Sequence, residues 1–94
     1  MNRGPRTQAR TAGRVAINGY ALRAMRVLAG LSTTTFINQV SNETLTLDRT
    51  ILNRIENGHI ATVPPGLFKR FVTVLGLTDP KALMANPHAD QAAA

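Results

Sequence analysis

The sequence DRTILNRIENG, residues 48–58, contains the clearest helical signal in the chain. Asp48 is a favoured N-cap residue and Gly58 is typical of a helix end, so we predict a short helix from Arg49 to about Asn57. At about 100° per residue, three aliphatic side chains fall on one side of this helix: Ile51, Leu52 and Ile55. Polar side chains cover the other side: Arg49, Thr50, Asn53, Arg54 and Asn57. The helix is therefore predicted to pack through one side and to present hydrogen-bond donors on the other.

Two helices are predicted before this one. The first begins near Asn18, repeats apolar residues at helical spacing and ends at Gly30, which suits a left-handed cap. The second is capped by Ser32 and runs to about Val40. In the first helix, Leu22, Met25, Arg26 and Ala29 recur at i, i+3, i+4 and i+7. In the second, the predicted buried stripe is Phe36, Ile37 and Val40.

Two helices are also predicted after it. One follows Pro64 and Pro65 and stops at Gly76, and a shorter one opens at Asp79-Pro80. The apolar residues of these two helices are Leu67, Phe68, Phe71, Val72 and Leu75, followed by Leu83 and Met84. Only residues 15–17 suggest a strand, and only marginally, so the predicted fold is all-α with five helices.

The length of 94 residues corresponds to one small domain. We assign residues 1–17 to a flexible basic N-terminal arm, 18–85 to the folded domain and 86–94 to a flexible C-terminal tail. The absence of cysteine excludes disulfides, thiolate metal sites and cysteine nucleophiles. No apolar run has the length of a membrane span, and no signal peptide pattern is present, so we expect a cytoplasmic, nucleoid-associated protein with no membrane partner.

The positive charge of the chain is concentrated at its start. Of a formal net charge of +6, the first fourteen residues contribute four arginines and no acid: Arg3, Arg6, Arg10 and Arg14. A cationic arm on a small domain favours a polyanionic partner, most simply nucleic acid. The alternative is that the arm only keeps the protein soluble.

Four segments in order resemble the Cro and phage-repressor (XRE) family of helix-turn-helix DNA-binding proteins. They are LRAMRVLAGLS, ILNRIENG, PPGLFKRF and VLGL, and together they span about residues 18–85. The resemblance implies a lambda-repressor-like domain in which residues 32–40 cross the DNA backbone and residues 49–57 enter the major groove.

The resemblance also implies roles for individual residues. The implied DNA contacts are Thr33, Arg49, Thr50, Asn53, Arg54 and Asn57. Arg49 is the implied base reader, because a guanidinium can form two parallel hydrogen bonds with guanine. The arm arginines are expected to follow the DNA backbone or to enter an adjacent minor groove. Arg26 and Glu56 are implied to form a buried structural ion pair, and the alternative is two solvated surface charges.

The chain departs from the family pattern between the second and third helices, where about five extra residues separate Val40 from Leu47. Either the second helix is longer than usual or a small loop bulges out. Leu45 and Leu47 are expected to anchor this excursion to the core.

The predicted function is that of a sequence-specific double-stranded DNA-binding transcriptional regulator, Cro-like or repressor-like, that occupies an operator as a homodimer, at least on DNA. The nine arginines against two lysines suggest a GC-rich coding source and weakly a phage or prophage. The predicted dimer contact is the fifth helix with Val74, Leu77 and Met84. The alternative function is an antitoxin that autoregulates its operon and binds a toxin protein.

Enzymatic and metal-dependent functions have little support in the sequence. The two histidines, His59 and His88, are far apart in a predicted loop and tail, and no carboxylate pair accompanies them. We therefore expect no catalytic residues, no metal, no cofactor and no small-molecule ligand. His59 is expected to be a loop residue near a DNA phosphate.

Overall fold

Four α-helices and a two-stranded antiparallel sheet form the part of the chain that the computed structural model describes, residues 13–85. The helices are α1 (Gly19–Leu28), α2 (Thr33–Val40), α3 (Arg49–Glu56) and α4 (Pro65–Leu75). The strands are β1 (Val15–Ala16) and β2 (Thr62–Val63), and a 3₁₀-helix (Pro80–Leu83) follows α4. The first four predicted helices are confirmed.

The prediction of a fifth α-helix is wrong, because the Asp79-Pro80 segment forms a single 3₁₀ turn. The Asp79 carboxylate accepts a hydrogen bond from the Lys81 amide at 3.0 Å and starts the turn. Leu83 is fully buried, and the backbone then becomes extended and forms an antiparallel bridge between Met84 and Ile17. This extended pairing competes with continuation of the helix.

The all-α prediction holds in part, because the described residues are mostly helical. The strand marginally suggested at residues 15–17 is present, since β1 and β2 pair with Val15 opposite Val63 and Ala16 opposite Thr62. The Ala85 amide donates to the Ala16 carbonyl at 3.1 Å, so β1 is bonded on both sides. Residues 15–17, assigned to the flexible arm, therefore belong to the sheet, and Ile17 is buried in the core. Arm residues 1–12 and tail residues 86–94 lie outside the described residues.

The starts of α1, α2 and α3 share one mechanism. The side chains of Asn18, Ser32 and Asp48 each accept a hydrogen bond from the amide three residues later, at 3.1, 3.1 and 2.8 Å. Such caps satisfy amides that have no partner inside the helix. Glycines follow three of the helices in the left-handed conformation: Gly30 (φ 75°), Gly58 (φ 83°) and Gly76 (φ 67°). The predicted caps at Ser32 and Asp48 and the three glycine ends are confirmed.

All four helices contribute to one aliphatic core around a pair of stacked phenylalanines. The rings of Phe36 in α2 and Phe71 in α4 stack with centroids 5.6 Å apart. The other buried apolar residues are Ile17, Leu22, Val40, Leu47, Leu52, Ile55, Val63, Leu67, Phe68 and Leu83. Arg70 of α4 adds polar contacts, since its guanidinium donates to the Val40 and Gln39 carbonyls at the end of α2, at 3.0 and 2.7 Å.

The extra residues between α2 and α3 form a loop, because α2 ends at Val40 as predicted. Asn42 organises the loop by accepting hydrogen bonds at its side-chain oxygen from the amides of Thr44 and Leu45, at 2.9 and 2.8 Å. Leu47 is buried and Leu45 is half-buried against the core. The predicted anchoring by these two leucines is confirmed.

Candidate nucleic-acid interface

Helix α3 has two chemically distinct sides. Leu52 and Ile55 are fully buried, whereas every polar residue predicted to contact DNA from this helix is exposed: Arg49, Thr50, Asn53, Arg54 and Asn57. Ile51, predicted on the apolar side, is 38% exposed and lies at the edge of the polar surface. We call the five polar residues the α3 outer face. The structure therefore brings together a row of hydrogen-bond donors on one short helix.

A contact that the sequence did not reveal links this face to α2. The Arg49 guanidinium donates a hydrogen bond from Nη2 to the Thr34 hydroxyl at 2.9 Å. Thr34 and Thr35 are exposed, whereas Thr33, the residue predicted to contact DNA from α2, is half-buried. Thr34 thus belongs to the candidate interface, and the sequence offers no local signal for it because its partner lies fifteen residues later.

The start of α2 lies beside Arg49 and carries a partial positive charge from its free amides. The Ser32 hydroxyl caps this end and also donates to the Thr35 hydroxyl at 2.9 Å. The carboxylate of Asp48 caps the start of α3 through the Ile51 amide. Both helix starts are therefore ordered by side chains at the same surface.

The end of α3 is fixed by backbone contacts. The Arg54 carbonyl accepts hydrogen bonds from the amides of His59 and Ile60, at 2.8 and 3.1 Å. The Tyr20 hydroxyl of α1 donates to the Asn57 carbonyl at 3.4 Å. His59 is exposed in the turn that follows, which agrees with its predicted loop position.

The expected ion pair between Arg26 and Glu56 is present and buried. Arg26 donates from Nε and Nη2 to the two carboxylate oxygens of Glu56, at 2.7 and 3.0 Å, and from Nη1 to the Leu31 carbonyl at 2.9 Å. The hydrogen bonds from Arg26 to Glu56 raise the pKa of Arg26 above its ordinary value, although burial opposes this shift. The pair joins α1, the turn before α2 and the last residue of α3, so it orients the α3 outer face relative to α2.

Helices α1 and α3 also touch through their backbones at Gly19. A methyl group at position 19 would overlap the Ile55 carbonyl group. Only glycine permits this approach. Because Gly19 is the first residue of α1, its requirement comes from a tertiary contact and has no local sequence signal.

Of the four arginines predicted to contact DNA from the arm, only Arg14 lies within the described residues. Arg14 is exposed and donates to the Thr62 hydroxyl and carbonyl, at 2.9 and 2.8 Å. Arg14, assigned to the flexible arm from the sequence, is therefore bonded to β2 through its side chain. Arg3, Arg6 and Arg10 lie outside the described residues, as does His88.

Within residues 13–85, no group of three or more histidine, cysteine, aspartate or glutamate side chains is placed to hold a metal ion. No helix of the described part is long and apolar enough to cross a membrane.

Comparison with models of protein families, with curated proteins and with solved structures finds no match to this chain. Support for any function therefore comes from the residues themselves and from their arrangement.

Proposed function

We propose that this protein is a sequence-specific double-stranded DNA-binding transcriptional regulator of the helix-turn-helix type. In this proposal α3 enters the major groove of an operator and the start of α2 lies against the DNA backbone. The observation that supports it most strongly is the α3 outer face, where five exposed polar side chains lie opposite the fully buried Leu52 and Ile55.

The side chains of this face match the chemistry of base edges. A guanidinium carries five N–H donors, and within residues 13–85 only one hydrogen bond, from Nη2 to Thr34, involves the Arg49 guanidinium. The remaining donors of Arg49 can form two parallel hydrogen bonds with guanine O6 and N7. Asn53, one turn further along the same face, has the side-chain amide that pairs with adenine N6 and N7.

The start of α2 supplies a site for backbone phosphate. Its free amides and its position beside Arg49 favour an anion. Contacts of this kind fix the register of a protein on the duplex and carry no base information. Thr33 and the arm arginines act in the same sequence-independent way.

The proposed regulatory mechanism is occupancy of the operator by the protein. Two copies place their α3 helices in successive major grooves, about 34 Å apart, on a pseudo-palindromic operator. A protein held there obstructs the polymerase, so repression is the proposed outcome.

A selection experiment tests this function. The purified protein is incubated with a pool of random duplexes at near-physiological salt, and the retained DNA is sequenced for the wild type, for Arg49→Ala and for Lys81→Ala. Lys81 is exposed on the 3₁₀-helix, so its substitution removes one positive charge away from α3. We expect a pseudo-palindromic motif with the wild type and with Lys81→Ala, and loss of preference at one or two positions with Arg49→Ala. Retained DNA without an enriched motif, or equal motifs for all three proteins, would contradict the proposal.

A further inference from the structure

Helix α1 is apolar on both of its long sides. Its inner side packs on the core through Leu22, which is fully buried, and through the half-buried Met25. Its outer side exposes Tyr20, Val27 and Leu28, with 69%, 58% and 85% of their surfaces accessible. We call the open groove that these residues line together with Arg23 and Ala24 the α1 outer face.

The only charge of the α1 outer face is Arg23, at its edge, because the other arginine of the helix, Arg26, is paired inside with Glu56. Four contiguous apolar or small side chains remain: Tyr20, Ala24, Val27 and Leu28. Contiguous exposed apolar surface of this kind marks an interaction site.

The remaining segments of this chain do not supply matching side chains. Residues 1–12 contain three arginines and one large apolar residue, Met1, and they would bring like charge to Arg23. Residues 86–94 contain alanines and no large aliphatic or aromatic residue. The same face on another copy supplies the large apolar side chains that these segments lack.

The spacing of the α1 outer face is self-complementary. Ala24 lies four residues from Tyr20 and four residues from Leu28. When two such helices pack antiparallel across a twofold axis at Ala24, Tyr20 of each copy faces Leu28 of the other. A small residue at the crossing point lets the helices approach closely. We propose that the α1 outer face is the contact through which two copies of this chain associate, antiparallel and centred on Ala24.

This surface differs from the dimer contact predicted from the sequence. The fifth α-helix is absent, and Val74 and Leu77 are half-buried against the core of their own domain. Met84 is 41% exposed and stands alone at the end of the 3₁₀ turn. The larger free apolar surface of the described chain is on α1.

The proposed dimer is weak, and its association constant increases with salt concentration. A ten-residue helix is about 15 Å long and offers less than the roughly 800 Å² per partner of a standard interface. The two Arg23 side chains lie on the same side of the antiparallel pair and repel each other. Because salt screens this repulsion, association strengthens with ionic strength. DNA binding has the opposite dependence, so the two processes are distinguishable.

Sedimentation of the full chain without DNA tests the proposal, and its result does not depend on whether the protein binds DNA. We compare wild type, Leu28→Gln and Met84→Gln up to about 1 mM, a concentration that detects millimolar dissociation constants. We expect reversible dimers for the wild type and for Met84→Gln, and association weakened about tenfold or more by Leu28→Gln, because each dimer loses the leucine twice. Circular dichroism confirms that both variants are folded.

A single cysteine tests the register, since the natural chain has none. Under mild oxidation, Ala24→Cys is expected to form a disulfide-linked dimer, and Ala82→Cys, exposed on the 3₁₀-helix, is expected to remain a monomer. A wild type that stays monomeric at every concentration, a dimer insensitive to Leu28→Gln, or equal cross-linking at positions 24 and 82 would overturn the proposal.

Discussion

The outer faces of α1 and α3 belong to helices in direct contact, yet their chemistry is opposite. The α3 outer face presents arginine, asparagine and threonine side chains, whereas the α1 outer face presents tyrosine, valine and leucine. Both helices bury aliphatic residues on their inner sides, so the core does not explain the difference. What differs is the surface that each outer face is proposed to meet, which is nucleic acid for α3 and a second protein molecule for α1.

The two faces are held relative to each other by two contacts between α1 and α3. One is the buried pair of Arg26 and Glu56, and the other is the close approach of Gly19 to Ile55. Disrupting either contact should change the orientation of the α1 outer face relative to the α3 outer face.

The largest expected effect comes from Glu56→Gln. This change leaves the buried Arg26 charge without its carboxylate and should lower the free energy of unfolding by about 3–5 kcal/mol. Chemical denaturation measures it, with Glu43→Gln as the control, because Glu43 is an exposed loop carboxylate. Equal midpoints for both variants would contradict a stabilising role for the pair.

The destabilisation caused by Glu56→Gln should not vary between about pH 6 and 9. The pKa of Arg26 is raised by Glu56, so the stability linked to this shift is present below the ordinary pKa of arginine and is lost only as pH rises through the higher folded value. Denaturation curves at both ends of the range measure this. If the difference in stability between the wild type and Glu56→Gln becomes smaller between about pH 6 and 9, the contribution of the pair depends on the titration of a group other than Arg26.

A smaller destabilisation is expected from Gly19→Ala, because the added methyl group overlaps backbone atoms of α3 that cannot move aside alone. Overpacking of this kind costs about 1–3 kcal/mol. Gly66→Ala is the matched control, since a methyl group there meets only Leu45 at an ordinary distance of 3.9 Å. Thermal unfolding should show a lower midpoint for Gly19→Ala and an equal or higher one for Gly66→Ala. The reverse order would refute the close approach.

Deleting residues 2–12 tests whether the N-terminal arm adds to the DNA binding proposed for the α3 outer face. The deletion removes Arg3, Arg6 and Arg10 but keeps Arg14, which is bonded to Thr62. Binding to all duplexes should weaken, and the slope of log K against log salt should fall by about 0.9 for each phosphate that the arm no longer neutralises. Fluorescence anisotropy at several salt concentrations measures the slope. An unchanged slope would remove the arm from the mechanism.

The smallest expected effect is that of Thr34→Val, which removes the hydroxyl that accepts from Arg49 while keeping the shape of the side chain. One hydrogen bond contributes about 0.5–1.5 kcal/mol, so affinity for the selected site should fall by up to about tenfold. In the Arg49→Ala background the same change should have no effect. Thr73→Val, on exposed α4 surface, is the control. Additive effects in the double variant would show that Thr34 acts independently of Arg49.

Local signals in the sequence were sufficient for helices α1 to α4 and their ends, but not for the segment after Asp79, which forms a 3₁₀ turn. Ser32 and Asp48 are caps because their short polar side chains reach amides three residues away, and Gly58 ends α3 because it tolerates a positive φ. The ion pair of Arg26 and Glu56 was expected only from the family resemblance, since a spacing of thirty residues carries no periodic signal.

Other features arise only when distant segments meet. The two strands of the sheet lie far apart in the chain, and each has only two residues. A strand of two residues is too short to show an alternating pattern of apolar and polar residues. The requirement for glycine at position 19 comes from the Ile55 backbone, and the role of Thr34 comes from Arg49 fifteen residues later. The exposed side of α1 escaped prediction because the predicted helical series begins at Leu22, and Tyr20, Val27 and Leu28 lie outside that series.

The most direct test of DNA binding through α3 is an amide chemical-shift titration of the isotope-labelled full chain with a duplex that contains one half-site of the selected motif, so that a single copy binds. We predict that the largest shifts fall on residues 32–34 and 49–57, with residues 23–28 of the α1 outer face unaffected at a concentration where the protein is monomeric. Largest shifts along α1 with α3 unchanged would contradict this, because the polar face of α3 would then not be the surface that meets DNA.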